Sequence, residues 1–229
     1  MFPFLTTAFA DGSSEEQNAA PFISLNDSPL EELSEAGWLQ IAVLVVLVAA
    51  GILLLSFSKK KVKWSAKMLA HAAISLALSF VLSYIKIFSM GAGGSVTPGS
   101  MLPIMLFSAN YGLLPGLLVG FAYALLQLVQ GSKAVGFMGL LLDYFLAFAA
   151  LGLAGLAKHL PQKWGLYVSI FIAMFVRFVC HALSSIVVYH VNLAGSLAYN
   201  TPYMLPEMIF CMILGVVIGP RILKMMKQT

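Results

Sequence analysis

The chain alternates long apolar stretches with short polar breaks. The first stretch, residues 38 to 57, is closed by Lys59, Lys60, Lys61, Lys63 and Lys67. Further apolar stretches fall at 65 to 87, 100 to 111, 114 to 131, 137 to 157, 165 to 190 and 203 to 222. About 20 apolar residues in a helix cross a hydrocarbon core, so the pattern predicts seven transmembrane helices and an all-α integral membrane protein. The 100 to 111 stretch is short and carries Pro103, which predicts a broken or tilted helix whose freed backbone groups face protein rather than lipid. The Gly-rich connection before it, Ser89 to Ser100, is expected to lie over the outer face as a flexible lid.

Composition agrees with this reading. Of 229 residues, 60% are hydrophobic and 10% charged, with a mean hydropathy of +0.93, where a soluble domain carries about 25% charge. The net charge of +4 comes from scattered residues, so there is no basic face for nucleic acid. It reports topology instead. Seven of the nine acidic residues lie before residue 38, a region without Lys or Arg, and ten of the thirteen basic residues fall in loops that the span pattern places on one side. By the positive-inside rule that side is cytoplasmic, with the N-terminus outside and the C-terminus inside. Residues 1–37 form an acidic external segment and 223–229 a cytoplasmic tail. Ala8-Phe9-Ala10-Asp11 looks like a signal-peptidase site, although no basic n-region precedes it. Ser28-Pro29-Leu30-Glu31 reads as the start of a short surface helix. Cys180 and Cys211 both lie in apolar stretches and imply no disulfide framework.

The two acidic residues left, Asp143 and Glu207, fall inside predicted spans, as do Arg177 and His181. Ionisable groups in hydrocarbon cost a few kcal/mol each and mark functional sites. At about 1.5 Å of rise per residue, Asp143, His181 and Glu207 all lie in the outer half of their helices, while Arg177 lies nearer mid-bilayer. Tyr144, Tyr189, Tyr199, Tyr203 and Asn200 cluster at similar depth, with Gln127 and Gln130 at the outer end of another span. A carboxylate accepts from an exocyclic amine, and tyrosine faces attract a planar cation, so the expected ligand is a small aromatic cation. Two blander readings stand beside it: Arg177 paired with Asp143 or Glu207 as a buried ion pair, and the tyrosines as interfacial belt residues. His71, His159 and His190 sit near span ends and receive no role. Ala66, Ala70, Ala73 and Ala77 recur at helical spacing on one stripe, which lets a second helix approach closely or serves internal packing. Gly116 with Gly120 and Gly215 with Gly219 read as internal contacts. No Walker A, His-Glu-x-x-His or Gly-x-Ser-x-Gly pattern occurs, so neither a P-loop ATPase nor a familiar hydrolase is expected.

A family resemblance adds to this. Gly93-Gly94-Ser95-Val96-Thr97-Pro98-Gly99-Ser100-Met101-Leu102-Pro103, Leu141-Leu142-Asp143-Tyr144, Arg177-Phe178-Val179-Cys180-His181 and Ser196-Leu197-Ala198-Tyr199-Asn200 occur in order over residues 65 to 222. Together they resemble the thiamine-specific substrate-binding (S) component of energy-coupling factor transporters, the ThiT family. The resemblance implies a six-helix S-component bundle over 65–222, preceded here by one extra N-terminal transmembrane helix at 38–57 that the family core lacks. It implies capture of thiamine from outside, docking on a transmembrane coupling subunit driven by two cytoplasmic ATPases, and no resident cofactor, metal or catalytic residue. It places Asp143 and His181 at the aminopyrimidine, Tyr144, Tyr189 and Asn200 toward the thiazolium, Gly94 in the lid, Ser95 and Tyr199 among the other substrate-binding residues, and the stripe through Ala73-Ile74-Ser75-Leu76-Ala77 at the coupling subunit. Asp143 is one methylene shorter than the glutamate expected there. Tyr189 stands where a tryptophan can stack, Gly94 where an aromatic residue can occur, and Gly195 where a tyrosine can occur. Three other readings remain open: an S component for another heterocycle, a proton-coupled carrier using Asp143, Glu207 and His181, and an intramembrane enzyme with His181 and Glu207 as acid and base.

Overall fold

The computed structural model describes residues 62–90, 93–131, 135–161 and 163–228, together with Ala42 and Val45, both helical. The rest of the 38–57 span, the acidic leader and Lys133 lie outside the described residues. Within them the protein is helical apart from one two-residue antiparallel pair. Helix α1 runs Ala66–Tyr84, α2 Leu102–Tyr111, α3 Leu113–Val129, α4 Gly136–His159, α5 Gly165–Val187, α6 Leu193–Val217 and α7 Gly219–Gln228. Four of these, α1, α4, α5 and α6, are long and apolar enough to cross a membrane.

Three local features differ from expectation. Pro103 does not break α2: it sits in the first turn, where its missing N–H has no partner to lose. Helix α6 begins at Leu193, ten residues before the predicted 203, because Asn192 caps it by accepting from the Gly195 N–H at 2.8 Å. Pro202 and Pro206 lie inside that helix and concealed its length in the sequence. Beyond Val217 the chain turns into the separate α7, which carries Arg221, Lys224 and Lys227 exposed on its surface.

Helix α1 is capped by Ser65, whose side chain accepts from the Met68 N–H at 3.2 Å. It buries Met68, Ala72, Ser75, Ser79 and Ser83 and exposes Leu69, Ile74, Leu78 and Val81. The polar side is inward, as suits a helix whose outer face meets lipid rather than water.

The core is built around α4. Its first half is a π-helix over Leu140–Leu146, and its second is wound as a 3-10 helix over Ala150–His159, packed against α2, α3 and α5. Close approach there depends on glycine. A Cβ on Gly152 would stand 2.6 Å from Leu117 Cα, and one on Gly120 would stand 3.0 Å from Ala149 Cα. Gly116–Gly120 is thus an internal contact, as its spacing suggested; Gly215 and Gly219 likewise face Ile170 and Leu166. Ile104, Phe107, Leu151, Ile170 and Cys211 fill the space between, all fully buried.

Candidate functional site

The polar residues inside the bundle line one cavity of about 990 Å³. It lies between α3, α4, α5 and α6 and is bounded on one side by the segment Gly93–Ser100. Every site residue expected from the sequence lines it: Asp143, Tyr144, His181, Tyr189, Asn200, Gly94, Ser95 and Tyr199. Arg177, Gln127, Gln130 and Tyr203 line it too.

Asp143 lies in the π-helical wind of α4, a geometry common at functional sites. Its two oxygens are held from α5: Oδ2 accepts from the Ser184 hydroxyl at 2.7 Å, and Oδ1 lies 3.0 Å from His181 Nδ1. A carboxylate has no proton to give, so Nδ1–H donates and the neutral ring keeps a lone pair on Nε2. Nε2 is buried and has no hydrogen-bond partner among the described residues. The pair therefore leaves one buried ring nitrogen in the wall of the cavity without a partner among the described residues.

Arg177 lies one turn earlier on the same face of α5. It is 6% exposed, and its Cζ lies 4.2 Å from the centroid of the Phe148 ring. Nε and Nη1 have no acceptor among the described residues, and neither does Nε2 of Gln127. The expected ion pair with Asp143 or Glu207 is absent: the one salt bridge among the described residues is His181–Asp143. The guanidinium sits against an aromatic face in the cavity wall, with two buried donors left without acceptors among the described residues.

A second network joins α5 to α6. Asn200 Nδ2 donates to the Ser185 hydroxyl and to the Ser196 carbonyl, both at 2.9 Å, and its Oδ1 accepts from the Tyr203 hydroxyl at 2.5 Å. Tyr203 meets the rings of Tyr199 and His181 edge-on, with centroids 5.8 and 6.2 Å away. Tyr189 lies just past the end of α5 with 42% of its surface exposed. Burial of the remainder, with Asp143 nearby, pushes its phenol up to about 12.

Tyr123 and the serines of α1 were not singled out from the sequence. Tyr123 is fully buried, lines the cavity and donates to the Ser79 carbonyl at 3.1 Å. Gln130 Nε2 donates to the Ser83 hydroxyl at 3.0 Å. Ser75, Ser79 and Ser83 recur every four residues, a signal that could have identified the inner face of α1. His190, given no role, lines the cavity with a left-handed backbone, φ 52°. Glu207 makes no hydrogen bond to Asp143 or His181; its carboxylate goes to Thr97 instead. The alanines of the α1 stripe, Ala66, Ala70, Ala73 and Ala77, are all exposed, away from the cavity. Among the described residues no group of His, Cys, Asp or Glu is arranged to hold a metal ion.

Four membrane-length helices around a polar, tyrosine-rich chamber define a multi-pass membrane protein with a cavity of small-molecule size. A family profile described as thiamine transporter protein (Thia_YuaJ) matches residues 69–227. The thiamine transporter ThiT of Bacillus subtilis (strain 168) is 33% identical over 180 residues, covering 68% of this chain and 93% of that protein. The chain belongs to the thiamine transporter family. A solved structure of ThiT from Listeria monocytogenes superposes with a TM-score of 0.57 at 18% identity, covering 69% of this chain and 96% of that one, which shows a shared fold.

Proposed function

We propose that this protein is the thiamine-binding S component of an energy-coupling factor transporter. The observation that carries the reading is the Ser184–Asp143–His181 cluster opening onto a tyrosine-lined chamber. Thiamine offers matching groups. Its exocyclic amine is a donor suited to the Asp143 carboxylate and the His181 Nε2 lone pair, and its pyrimidine nitrogens are acceptors suited to the donors of Arg177 and Gln127. The thiazolium cation suits the faces of Tyr144, Tyr189 and Tyr199, with Asn200 at that end. Gly94 and Ser95 close the chamber.

In this reading residues 65–222 form the six-helix substrate-binding unit, and 38–57 adds one N-terminal transmembrane helix behind the acidic external segment 1–37. The N-terminus is outside, and the tail 223–229 with its basic neighbours is cytoplasmic. Thiamine enters from outside. The exposed stripe of Ala66, Ala70, Ala73 and Ala77 docks on a coupling subunit, and two ATPases drive reorientation and release inward. The chain itself performs no chemistry on the ligand.

Isothermal titration of the detergent-purified chain with thiamine, and with the isolated pyrimidine as control, tests this directly. Tight binding at one site without a partner protein is expected. Folded, ligand-free protein that gives no heat with thiamine, and no competition by it, would overturn the assignment in favour of an S component for another heterocycle. Ion-driven uptake by this chain alone in liposomes would instead make it an independent carrier.

A further inference from the structure

Glu207 is the second acidic residue among the described residues and the one with no place in the site above. It lies within α6 and is 1% exposed. A carboxylate at such a position is costly unless its oxygens are hydrogen-bonded. No Lys or Arg nitrogen among the described residues lies within ion-pairing distance. Both oxygens go to Thr97: Oε2 accepts its backbone N–H at 2.5 Å, and Oε1 accepts its hydroxyl at 2.7 Å. The Thr97 oxygen in turn lies 2.7 Å from the Ser100 hydroxyl and accepts the Ser100 N–H at 3.2 Å. Thr97 and Ser100 are themselves buried, at 3% and 1% exposure.

The bonded residue belongs to the segment that bounds the cavity. Ser95, Thr97 and Ser100 all line it. The segment rests on one face of α6, where Asn200, Tyr203 and Glu207 follow at i, i+3 and i+7. Val96 packs on Tyr203 and Met204, and a Cβ on Gly94 would come within 2.6 Å of the Tyr203 ring. The same helical face thus holds the ligand end of the chamber through Asn200 and the covering segment through Glu207.

We propose that Glu207 is a positioning residue that latches the Ser95–Ser100 segment over the cavity and so sets how long a bound ligand stays. The inference rests on the thiamine-binding reading above, and Glu207 does not itself touch the ligand. Two hydrogen bonds to one buried carboxyl group hold the segment, so releasing it requires breaking the pair of bonds to Thr97 before the ligand can leave. Losing them leaves the ligand's direct contacts in place and lowers the barrier to escape.

The test uses the full chain preloaded with radiolabelled thiamine and chased with unlabelled thiamine, alongside association rates and thermal melting. Glu207→Met, which fills similar space without the hydrogen-bonding oxygens, and Thr97→Val should each raise the dissociation rate tenfold or more with little loss of association rate. Thr97→Ser should restore the wild-type rate, and the double variant should be no faster than the faster single. Hydrogen exchange at the Thr97 amide of the ligand-free chain provides a readout independent of thiamine: slow in the wild type, fast in Glu207→Met. If Glu207→Met fails to fold, Thr97→Val and its serine rescue decide the matter. Dissociation within twofold of wild type in folded variants, or Thr97→Ser behaving like Thr97→Val, would overturn the latch. A wild-type chain that does not bind thiamine would overturn the proposed function, and amide exchange would still decide the latch.

Discussion

Replacing Asp143 by Asn keeps the size and one acceptor oxygen but removes the charge. The amide oxygen can still accept from His181 Nδ1–H, which lies 3.0 Å from Oδ1 in the wild type, and the Ser184 hydroxyl can rotate to accept from the new amide N–H. The protein should therefore fold and retain its cavity. What should disappear is the charge-assisted hydrogen bond proposed to the ligand's exocyclic amine, along with attraction for its cation. Such bonds contribute about 1.5–3 kcal/mol, a loss of roughly ten- to a hundredfold in affinity. Side-chain exposures of 12% for His181 and 17% for Asp143 leave partial access to water, which favours the lower half of that range. Titration calorimetry of both proteins with thiamine, with melting curves as a check on folding, measures the difference. Ser184→Ala, which removes one donor but keeps the carboxylate, should cost only a few-fold. An Asp143→Asn protein that binds thiamine as tightly as wild type would show that the carboxylate does not face the ligand, and the proposed orientation would fall.

Further outcomes follow from the same geometry. Gly94→Ala places a methyl group against the Tyr203 ring at 2.6 Å and should lift the covering segment, weakening thiamine binding at least fivefold; unaltered affinity would show that the segment has slack. Tyr189 remains neutral well above the usual tyrosine range because its phenol is held up to about 12. An ionised phenolate would attract the cation, so any gain in affinity belongs above that value, and binding measured from about pH 8 to pH 10 should be flat with respect to this group. A rise near pH 10 that Tyr189→Phe abolishes would contradict this. Gly152→Ala forces a Cβ to 2.6 Å from Leu117 Cα and should destabilise the α3–α4 seam by about 1–3 kcal/mol, read as a drop in melting temperature. Ala73→Leu alters an exposed position on α1 and should leave thiamine binding by the purified chain intact. Uptake in cells carrying the coupling partners should fall more than tenfold, and normal uptake would remove the stripe from the docking surface.

The residues that were legible in the sequence are those with a steep cost in the wrong place. Asp143, Arg177 and His181 stand out because ionisable groups are rare in apolar runs, and the structure gathers them around one cavity. Four of the seven predicted spans coincide with helices of membrane length, for the same reason. The partners of Arg177 were not: only three-dimensional packing shows that it stacks on Phe148 and leaves Asp143 to His181 and Ser184. The start of α6 was hidden by Pro202, Pro206 and the polar run around Asn200, all of which signal a loop until the Asn192 cap is seen. The bond between Glu207 and Thr97 spans 110 positions, and no local pattern could have announced it. Nor does side-chain spacing reveal that α4 changes its winding along its length.

That change of winding separates two tasks on a single rod. Residues 140–146 wind wide and carry Asp143 and Tyr144 to the chamber, while 150–159 wind tight and carry Gly152 and Gly155 against the backbone of α3. In a uniform α-helix the angular offset between those faces would be locked at about 100° for each intervening residue. The mixed winding acts as a phase shifter: the end that lines the chamber and the end that wedges the bundle can each point where its own contacts demand.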